Sequence, residues 1–359
     1  MKALVLSGGY GIRFRPFSYS MPKQLFPIAN KPVLEYVIES IREIGVREIG
    51  IIVGDHSRQI AERIGDGSTL GVRVTYIPQE RPLGLAHCVA ISRPFLGADD
   101  FVMYLGDNLL PEGIADAAAQ FAAARPAAQL VVQKAHDPRR FGVVELGLDG
   151  TVLDVVEKPS QPRSELALIG VYFFTAEIHK AVAATLTSAR GELEITDAIQ
   201  VLVRSGARVT AYRYEGLWKD TGTADDVLEC NRLLLGAVQR MIAGDTDQFS
   251  ELHGPVVLGQ DAQVRRSQIV GPVVIGAGSL IEDSFIGPGT SIGQNCELRD
   301  VGVSNSIILD NAVVSGIRDI SHSLIGRYAN VGSGEYELPG HKLLLGDHAS
   351  IRLPVRGAR

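Results

Sequence analysis

The chain has 359 residues, of which 45% are hydrophobic and 21% are charged, and its formal net charge is −6 at pH 7. This length predicts two domains, and the acidic balance argues against a broad basic surface for nucleic acid. The three cysteines are widely spaced, which favours a reducing compartment. The N-terminal apolar run is too short for a signal peptide, and no run reaches the about 18 apolar residues of a membrane span. We therefore expect a cytoplasmic protein with no membrane and no nucleic-acid partner.

The first part of the chain alternates short apolar runs with amphipathic segments. Residues 2–6 form an apolar run that ends at glycines, as a buried parallel strand ends in a loop. Further strands are predicted at 48–54, 74–77 and 101–105, and helices at 34–44, 84–93 and 112–124. Strands that alternate with helices predict an α/β fold with a doubly wound, mostly parallel, Rossmann-like sheet. Ligands bind such sheets at the carboxyl ends of the strands, where the first glycines lie.

The pattern changes after about residue 235, where a helical stretch, NRLLLGAVQRMI, leads out of the α/β part. From about residue 255, apolar residues recur every six positions, in one row from Val274 to Leu298 and another from Ile269 to Ile281. Six-residue repeats are typical of a left-handed parallel β-helix, whereas a β-sandwich would favour a period of two. The predicted domains are an α/β domain at 1–235, a helical linker at 236–254, a β-helix at 255–345 and a tail at 346–359. The ends of such a solenoid commonly serve in oligomerisation, so we expect a homo-oligomer.

A glycine-rich loop follows the first strand, with glycines at positions 8, 9 and 11. Such glycines let backbone N–H groups approach a phosphate chain, although they also suit a plain tight turn. A P-loop would end in Gly-Lys-Ser/Thr, and a dinucleotide fingerprint would need a glycine where Phe14 stands. The cations Arg13, Arg15 and Lys23 follow closely in an acidic chain. Because arginine clamps phosphate oxygens and lysine supplies a point charge, these cations favour phosphate binding over a turn.

Several motifs occur along the chain: LSGGYGIRFRP, PKQLFPIANKPVLEY, GLAHCVA, YLGDNLL, FGVVE, VEKP, GELEITDAI and WKDTG. Together they lie within residues 4–222, and the hexapeptide repeats extend the likeness toward the C-terminus. On these motifs the chain resembles the sugar-1-phosphate nucleotidyltransferases, most of all the long form of glucose-1-phosphate thymidylyltransferase. The resemblance implies transfer of a nucleoside monophosphate from a triphosphate to a sugar-1-phosphate, with release of pyrophosphate.

The resemblance also implies a role for each matching residue. Arg13 and Lys23 would be catalytic, binding the triphosphate and the charge that develops at the reacting phosphorus. Asp107 and Asp220 would hold Mg²⁺, whose octahedral demands suit carboxylate oxygens, although spacing alone would assign each aspartate to a turn or helix cap. The nucleotide-binding residues would be Leu6, Gly8, Gly9, Gly11, Gln79 and Gly84. The sugar-phosphate-binding residues would be Phe141, Gly142, Glu157, Lys158 and Leu168, with Trp218 either closing the pocket or lying in the core.

The glycine loop departs from the family pattern Gly-x-Gly-Thr-Arg-Leu-Arg-Pro at Ile12 and Phe14, and Tyr10 and Phe17 add bulk nearby. Drift without consequence is the favoured interpretation, because backbone N–H groups make the main phosphate contacts. The alternative is altered specificity. The donor would then be GTP or another triphosphate and the acceptor a cyclitol-1-phosphate of an antibiotic pathway, instead of dTTP and glucose-1-phosphate.

Two functions of other classes remain open. A catalytically silent regulatory or binding subunit is expected to lose the catalytic lysine or the metal-binding aspartates, and all of these are present. Acyl transfer by the β-helix would need a catalytic residue, but His322, His341 and His348 lie in no recognisable motif. We therefore favour a β-helix that only assembles subunits.

Overall fold

The computed structural model describes residues 1–332 and 346–352, and the chain divides into two compact units. The first unit comprises Met1–Tyr10 and Pro32–Asp220, and the second comprises Gly11–Lys31 and Thr221–Arg359. The segment that follows the first glycines, predicted to lie in the α/β domain, thus groups with the C-terminal part of the chain. His341 and half of the predicted tail at 346–359 lie outside the described residues.

The helices predicted at 34–44, 84–93 and 112–124 are present, and the structure adds helices that the sequence analysis did not predict. The helices are α1 (Val33–Glu43), α2 (Ser57–Ile64), α3 (Leu85–Ile91), α4 (Arg93–Leu96), α5 (Ala115–Ala124), α6 (Ile178–Ala184), α7 (Ile195–Arg204) and α8 (Ala224–Leu235). Short 3-10 turns occupy Ile12–Phe14, Phe17–Tyr19, Lys23–Leu25, Ser68–Leu70 and Pro138–Arg140. Within the described residues, none of the helices is long and apolar enough to cross a membrane.

The strands before the β-helix include every one that the apolar runs predict. They are β1 (Lys2–Ser7), β2 (Pro27–Ile28), β3 (Lys31–Pro32), β4 (Glu48–Val53), β5 (Arg73–Pro78), β6 (Phe101–Leu105), β7 (Asn108–Leu109), β8 (Ala128–Lys134), β9 (Gly142–Leu146), β10 (Val152–Glu157), β11 (Leu166–Phe174), β12 (Val209–Arg213) and β13 (Lys219–Asp220).

The first unit is built on a nine-stranded sheet with the path β10-β9-β11-β6-β1-β4-β5, to which β8 and β12 are added through β11. Strands β5, β4, β1 and β6 are mutually parallel, and β11 runs antiparallel to β6. The predicted Rossmann-like α/β sheet is confirmed. In the register of β1 and β6, Leu6 lies opposite Leu105, so the glycine loop and the aspartate loop leave the same edge of the sheet.

The C-terminal strands form a parallel β-helix in three sheets, consistent with the predicted left-handed form. One sheet has the strands β14 (Met241–Ile242), β17 (Val256–Leu258), β20 (Val273–Ile275), β23 (Thr290–Ile292), β26 (Ile307–Ile308) and β29 (Leu324–Ile325). The second has β15 (Asp245–Thr246), β18 (Gln263–Arg265), β21 (Leu280–Glu282), β24 (Glu297–Arg299), β27 (Val313–Ser315) and β30 (Asn330–Gly332). The third has β16 (Glu251–His253), β19 (Gln268–Val270), β22 (Phe285–Ile286), β25 (Gly302–Ser304) and β28 (Ile320–Ser321).

One sequence prediction about the β-helix was wrong in detail. The helical linker at 236–254 does not exist, because α8 ends at Leu235 and the first coil already occupies 241–253. The two six-residue rows run around the coil, because stacked strands pair Ile269 with Ile286 and Ile275 with Ile292.

Candidate active site

Two short strands bring the predicted metal ligands together in the first unit. Asp107 follows β6, and Asp220 ends β13, which pairs antiparallel with β7 so that Asp220 lies opposite Asn108. Asp107 is 9% exposed, and its Oδ1 accepts a hydrogen bond of 3.2 Å from Asn108 Nδ2. The pairing of β7 with β13 therefore brings the two carboxylates together, because Asp220 lies opposite the residue that follows Asp107. The distance of Asp107 from Asp220 along the chain does not predict this.

The turn before Asp107 needs a glycine because it packs against the end of β1. Gly106 N donates to Leu6 O at 2.9 Å, and a Cβ at Gly106 would lie 2.5 Å from Ser7 Oγ. Leu6, a predicted nucleotide-binding residue, is buried and uses its carbonyl to fix this turn. The close approach sets Asp107 at the edge of the sheet beside the glycine loop.

The segment that carries Asp220 is fixed by three further contacts. Trp218 Nε1 donates to Asn108 Oδ1 at 2.6 Å, and its ring meets the Phe141 ring edge-on with centroids 5.0 Å apart. The Glu112 carboxylate accepts from Leu217 N at 3.0 Å. Trp218 is half-buried, so it lies beside Phe141 of the predicted sugar pocket and not in the core.

The predicted sugar-phosphate residues lie together where β9 and β10 pair. Gly142 is the cross-strand partner of Glu157, and a Cβ at Gly142 would lie 2.7 Å from Leu168 Cδ1. Lys158 N donates to Phe141 O at 3.0 Å, and Lys158 Nζ lies 3.6 Å from Glu157 Oε1. The structure thus brings all five predicted residues of this group to one place.

Arg190 joins this cluster, although the sequence analysis missed it. Its Nη1 lies 3.4 Å from Glu157 Oε1, and its Nε lies 3.5 Å from Glu194 Oε1. Thr196 Oγ1 donates to Glu157 Oε2 at 3.4 Å. The one available signal was that Arg190 directly precedes the GELEITDAI motif. Lys158 and Arg190 thus place two cations beside Glu157, and such cations can bind a phosphorylated ligand.

Burial raises the pKa of Glu157 above its ordinary value of 4.5, and the nearby Glu194 carboxylate adds to the rise. The positive charges of Lys158 and Arg190 oppose this shift without cancelling it. Its side chain remains 21% exposed, so a ligand can reach the carboxylate. A buried carboxylate between two cations can accept hydrogen bonds from hydroxyl groups of a ligand.

The predicted base-reading segment is held against the glycine loop. Gln79 is 8% exposed, and its Nε2 lies 3.0 Å from His87 Nδ1. A Cβ at Gly8 would lie 3.0 Å from Gln79 Oε1, so glycine at position 8 leaves room for this amide. His87, which the sequence analysis did not select, therefore orients the amide of Gln79.

Gly84 links this segment to the GELEITDAI motif. It has φ +104°, and a Cβ there would lie 2.4 Å from Leu193 O. Leu193 N donates to Leu83 O at 2.8 Å, and Leu193 O accepts from Ala86 N at 3.0 Å. Gly84 is required for this backbone contact, and its role in binding a nucleotide stays a prediction.

Gly11, Arg13 and Lys23 belong to the second unit. Gly11 has φ +60°, and its carbonyl accepts a hydrogen bond of 2.7 Å from Ser18 Oγ. A Cβ at Gly11 would lie 3.7 Å from the Cβ and Cδ of Lys23, so the lysine stem runs past the glycine. Lys23 is half-buried and Arg13 is exposed. A fixed turn therefore presents two cations within one short segment.

The residues that depart from the family pattern divide into two groups. Phe14 and Phe17 pack with Phe26, and the ring centroids of the three pairs lie 4.9–5.6 Å apart. Ile12, by contrast, is 60% exposed, and Tyr10 is 51% exposed. The aromatic bulk at positions 14 and 17 is thus absorbed by packing, while Ile12 and Tyr10 remain on the surface.

Comparison with known proteins agrees with this arrangement. The family model for nucleotidyl transferases matches residues 2–236. The glucose-1-phosphate thymidylyltransferase of Streptomyces griseus is 49% identical over 98% of this chain and 99% of its own. The enzyme of the same name from Streptomyces antibioticus is 48% identical over the same shares of the two chains.

A more distant relative and a solved structure extend the comparison. The low-salt glycan biosynthesis nucleotidyltransferase Agl11 of Haloferax volcanii is 41% identical over 98% of this chain and the whole of its own. A crystal structure from Bacillus anthracis, provisionally assigned as a glucose-1-phosphate thymidylyltransferase, matches with a TM-score of 0.61 and 30% identity. It covers 65% of this chain and 94% of its own.

Proposed function

The chain belongs to the nucleotidyl transferase family, and from this premise we propose that it is a sugar-1-phosphate nucleotidyltransferase. One observation carries the proposal. The pairing of β7 with β13 joins Asp107 and Asp220 in the same unit as the cluster of Glu157, Lys158 and Arg190. Two carboxylates for a metal and two cations for a phosphorylated ligand are what the joining of two anions requires.

In the proposed reaction, a phosphate oxygen of the sugar-1-phosphate attacks the α-phosphorus of a nucleoside triphosphate, and pyrophosphate leaves in line. Both reactants are anions, so the barrier is largely charge repulsion and positioning. The attacking oxygen is already ionised at neutral pH, so no general base is needed. Lys158 and Arg190 bind the sugar phosphate, Glu157 accepts hydrogen bonds from the sugar hydroxyls, and Arg13 and Lys23 bind the triphosphate.

We assign Asp107 and Asp220 to a Mg²⁺ ion. The donor set fits this metal, because Mg²⁺ is usually held by one or two carboxylates while phosphate oxygens and waters complete the octahedron. Among the residues that the structure describes, there is no group of three or more histidine, cysteine and acidic side chains that would form a closed metal cage. Bound there, Mg²⁺ would neutralise charge on the phosphate oxygens.

For the substrates, we propose dTTP and glucose-1-phosphate, which would give dTDP-glucose. The support is the identity of 48–49% to two proteins named glucose-1-phosphate thymidylyltransferase. The exposed Ile12 and Tyr10 keep the alternative open, namely GTP or another triphosphate with a cyclitol-1-phosphate in an antibiotic pathway. Gln79, oriented by His87, would read the base edge.

A substrate panel tests the function. The purified protein is incubated with Mg²⁺, each common triphosphate, and either glucose-1-phosphate or a cyclitol-1-phosphate, and pyrophosphate release is measured. We expect the fastest release with dTTP and glucose-1-phosphate. Release with GTP and a cyclitol-1-phosphate alone would select the alternative pair. No release with any pair would contradict the enzyme assignment and favour a silent regulatory subunit.

We further propose a cytoplasmic homo-oligomer assembled through the β-helix. Exposed apolar side chains on its first coil support this, with Met241 58% exposed and Phe249 69% exposed. Sedimentation of the full chain and of Met241→Lys would test it. A monomeric mass for the full chain would contradict the proposal.

Replacing Glu157 with glutamine should separate activity from stability. We expect kcat/KM for the sugar phosphate to fall about 10- to 100-fold, because a charged acceptor of hydrogen bonds is lost. Because the pKa of Glu157 is raised in the folded state, the ionised carboxylate lowers the stability of the native chain. This loss of stability is absent below the ordinary pKa of 4.5, and it appears as pH rises from there through the pKa of Glu157 in the folded state. The difference in free energy of unfolding between the variant and the native chain should therefore shift in favour of the variant as pH rises.

Chemical denaturation across that pH range, together with steady-state kinetics, checks both halves of the prediction. Glu165→Gln is the matched control, because Glu165 is an exposed carboxylate that pairs with Lys134 outside the site. The same kinetic change in both variants would contradict the assignment of Glu157.

A further inference from the structure

The segment Gly11–Lys31 carries both proposed catalytic cations, and it belongs to the same compact unit as the β-helix. One buried side chain ties the two together. Asn231, on α8, is 0% exposed. Its Oδ1 accepts hydrogen bonds from Ala29 N at 2.8 Å and Ser291 Oγ at 2.7 Å, and its Nδ2 donates to Gly289 O at 3.0 Å. A single amide thus joins the end of the segment, α8 and one coil of the β-helix.

The turn at the end of the segment is shaped for this contact. Ala29 and Asn30 have φ +48° and +62°, in the left-handed region that residues other than glycine rarely adopt. Asn30 Nδ2 donates to Ile292 O at 2.6 Å, one residue beyond the serine that Asn231 binds. The strained turn is therefore held by two asparagine side chains against one stretch of the β-helix, residues 289–292.

A second contact holds the middle of the segment. The Phe17 ring lies 3.7 Å from the position of a Cβ on Gly326, and Arg327 Nη2 donates to Ser20 O at 3.4 Å. Phe17 is also part of the aromatic cluster with Phe14 and Phe26. The segment is thus held on the β-helix on both sides of Lys23, at residues 17–20 and at residues 29–30.

We propose that Asn231 is a positioning residue for catalysis, which fixes Lys23 and Arg13 by holding their segment on the β-helix. The β-helix is then part of the catalytic apparatus and not only a means of assembly. This inference rests on the proposed function, because it takes the roles of Lys23 and Arg13 from there. A positioned cation contributes to the transition state more than to ground-state binding, so its displacement lowers kcat.

The control is a buried β-helix residue with similar bonding and no contact with the segment. Ser279 is 1% exposed, and its Oγ donates to Gly293 O at 2.8 Å and accepts from Cys296 N at 2.9 Å. Both Asn231→Ala and Ser279→Ala remove buried hydrogen bonds within the second unit. Only Asn231→Ala releases the segment that carries the cations.

The test compares Asn231→Ala, Ser279→Ala and Asn30→Ala by thermal unfolding, kinetics of pyrophosphate release and amide hydrogen exchange. We expect kcat to fall at least ~10-fold in Asn231→Ala, with a smaller change in KM and faster exchange over residues 11–31. Ser279→Ala should lose thermal stability but keep kcat. Asn30→Ala removes one bond at the half-buried turn and should show the same direction of change, so it serves if Asn231→Ala does not fold.

A double variant separates this inference from the proposed function. Because Asn231 acts through Lys23 as well as Arg13, Asn231→Ala should lower kcat by a smaller factor in a Lys23→Ala background than in the native chain. Fully multiplicative losses, or a kcat in both asparagine variants that matches Ser279→Ala, would overturn the inference. Normal turnover in Lys23→Ala alone would instead overturn the proposed role of Lys23, on which the inference rests.

Discussion

Asp107→Asn should lower kcat by about 10²- to 10³-fold, similar to the loss of a preorganised charge-stabilising group. Only two carboxylates are assigned to the metal, so the substitution removes half of their negative charge. The asparagine has nearly the same shape and still offers an oxygen to Asn108 Nδ2, so the loop should keep its fold. Pyrophosphate release measured against Mg²⁺ concentration checks the prediction, and the half-maximal concentration should rise.

The control for this variant is Asp116→Asn. Asp116 is an exposed aspartate in the first turn of α5, and it faces no proposed ligand. Its kcat and its Mg²⁺ dependence should both match those of the native chain. An unchanged Mg²⁺ dependence in Asp107→Asn would remove Asp107 from the metal site, whatever its effect on the rate.

Most strands and helices in the first 124 residues could be predicted, because strands and helices there have different periods. The β-helix was recognisable from its six-residue period, but the length of its coil was not. The hydrogen bond from Ser284 N to Ser267 Oγ joins residues 17 apart, whereas the stacked pair Glu297 and Val313 is 16 apart, so the coils are not all three steps of six residues. The six-residue apolar pattern cannot show the number of residues in a coil, because that number is set by where the chain returns to stack on the previous coil.

The end of α8 could not be predicted for a related reason. The stretch NRLLLGAVQRMI is apolar with helical spacing, yet Met241 and Ile242 leave the helix to pair with Val257 and Leu258. Local propensity differs little between the two states, and the parallel pairing with the next coil decides the outcome. A local sequence pattern does not show which strand farther along the chain a segment will pair with.

The candidate site shows the same limit. Glu157 and Lys158 were found because they are adjacent in a recognised motif, whereas Arg190 lies 33 residues from Glu157 and reaches it through a fold contact. Asn231 is an ordinary polar residue in a helical pattern, and its three hydrogen bonds to distant parts of the chain can be seen only in the folded structure. Motifs therefore predict residues that act locally, and packing reveals the residues that orient them.

Lys23→Ala is expected to lower kcat at least ~10²-fold, because the reacting phosphates would lose a fixed positive charge in a step whose barrier is charge repulsion. The lysine stem runs beside Gly11, so the truncation leaves space and no new clash. Kinetics of pyrophosphate release at saturating substrates measure the effect. Lys134→Ala removes an equal charge from an exposed side chain outside the site and should leave kcat within about threefold of the native value, the scatter expected for a surface substitution.

Lys23→Arg distinguishes the charge of this residue from its geometry. Arginine keeps the positive charge, but its planar fork cannot replace a compact ammonium beside Gly11. We therefore expect a rate between those of the native chain and Lys23→Ala. A rate equal to Lys23→Ala would mean that the position of the charge matters as much as its presence, which is the condition under which the anchoring of this segment by Asn231 has its largest effect. Near-normal turnover in Lys23→Ala would contradict the role of Lys23 altogether.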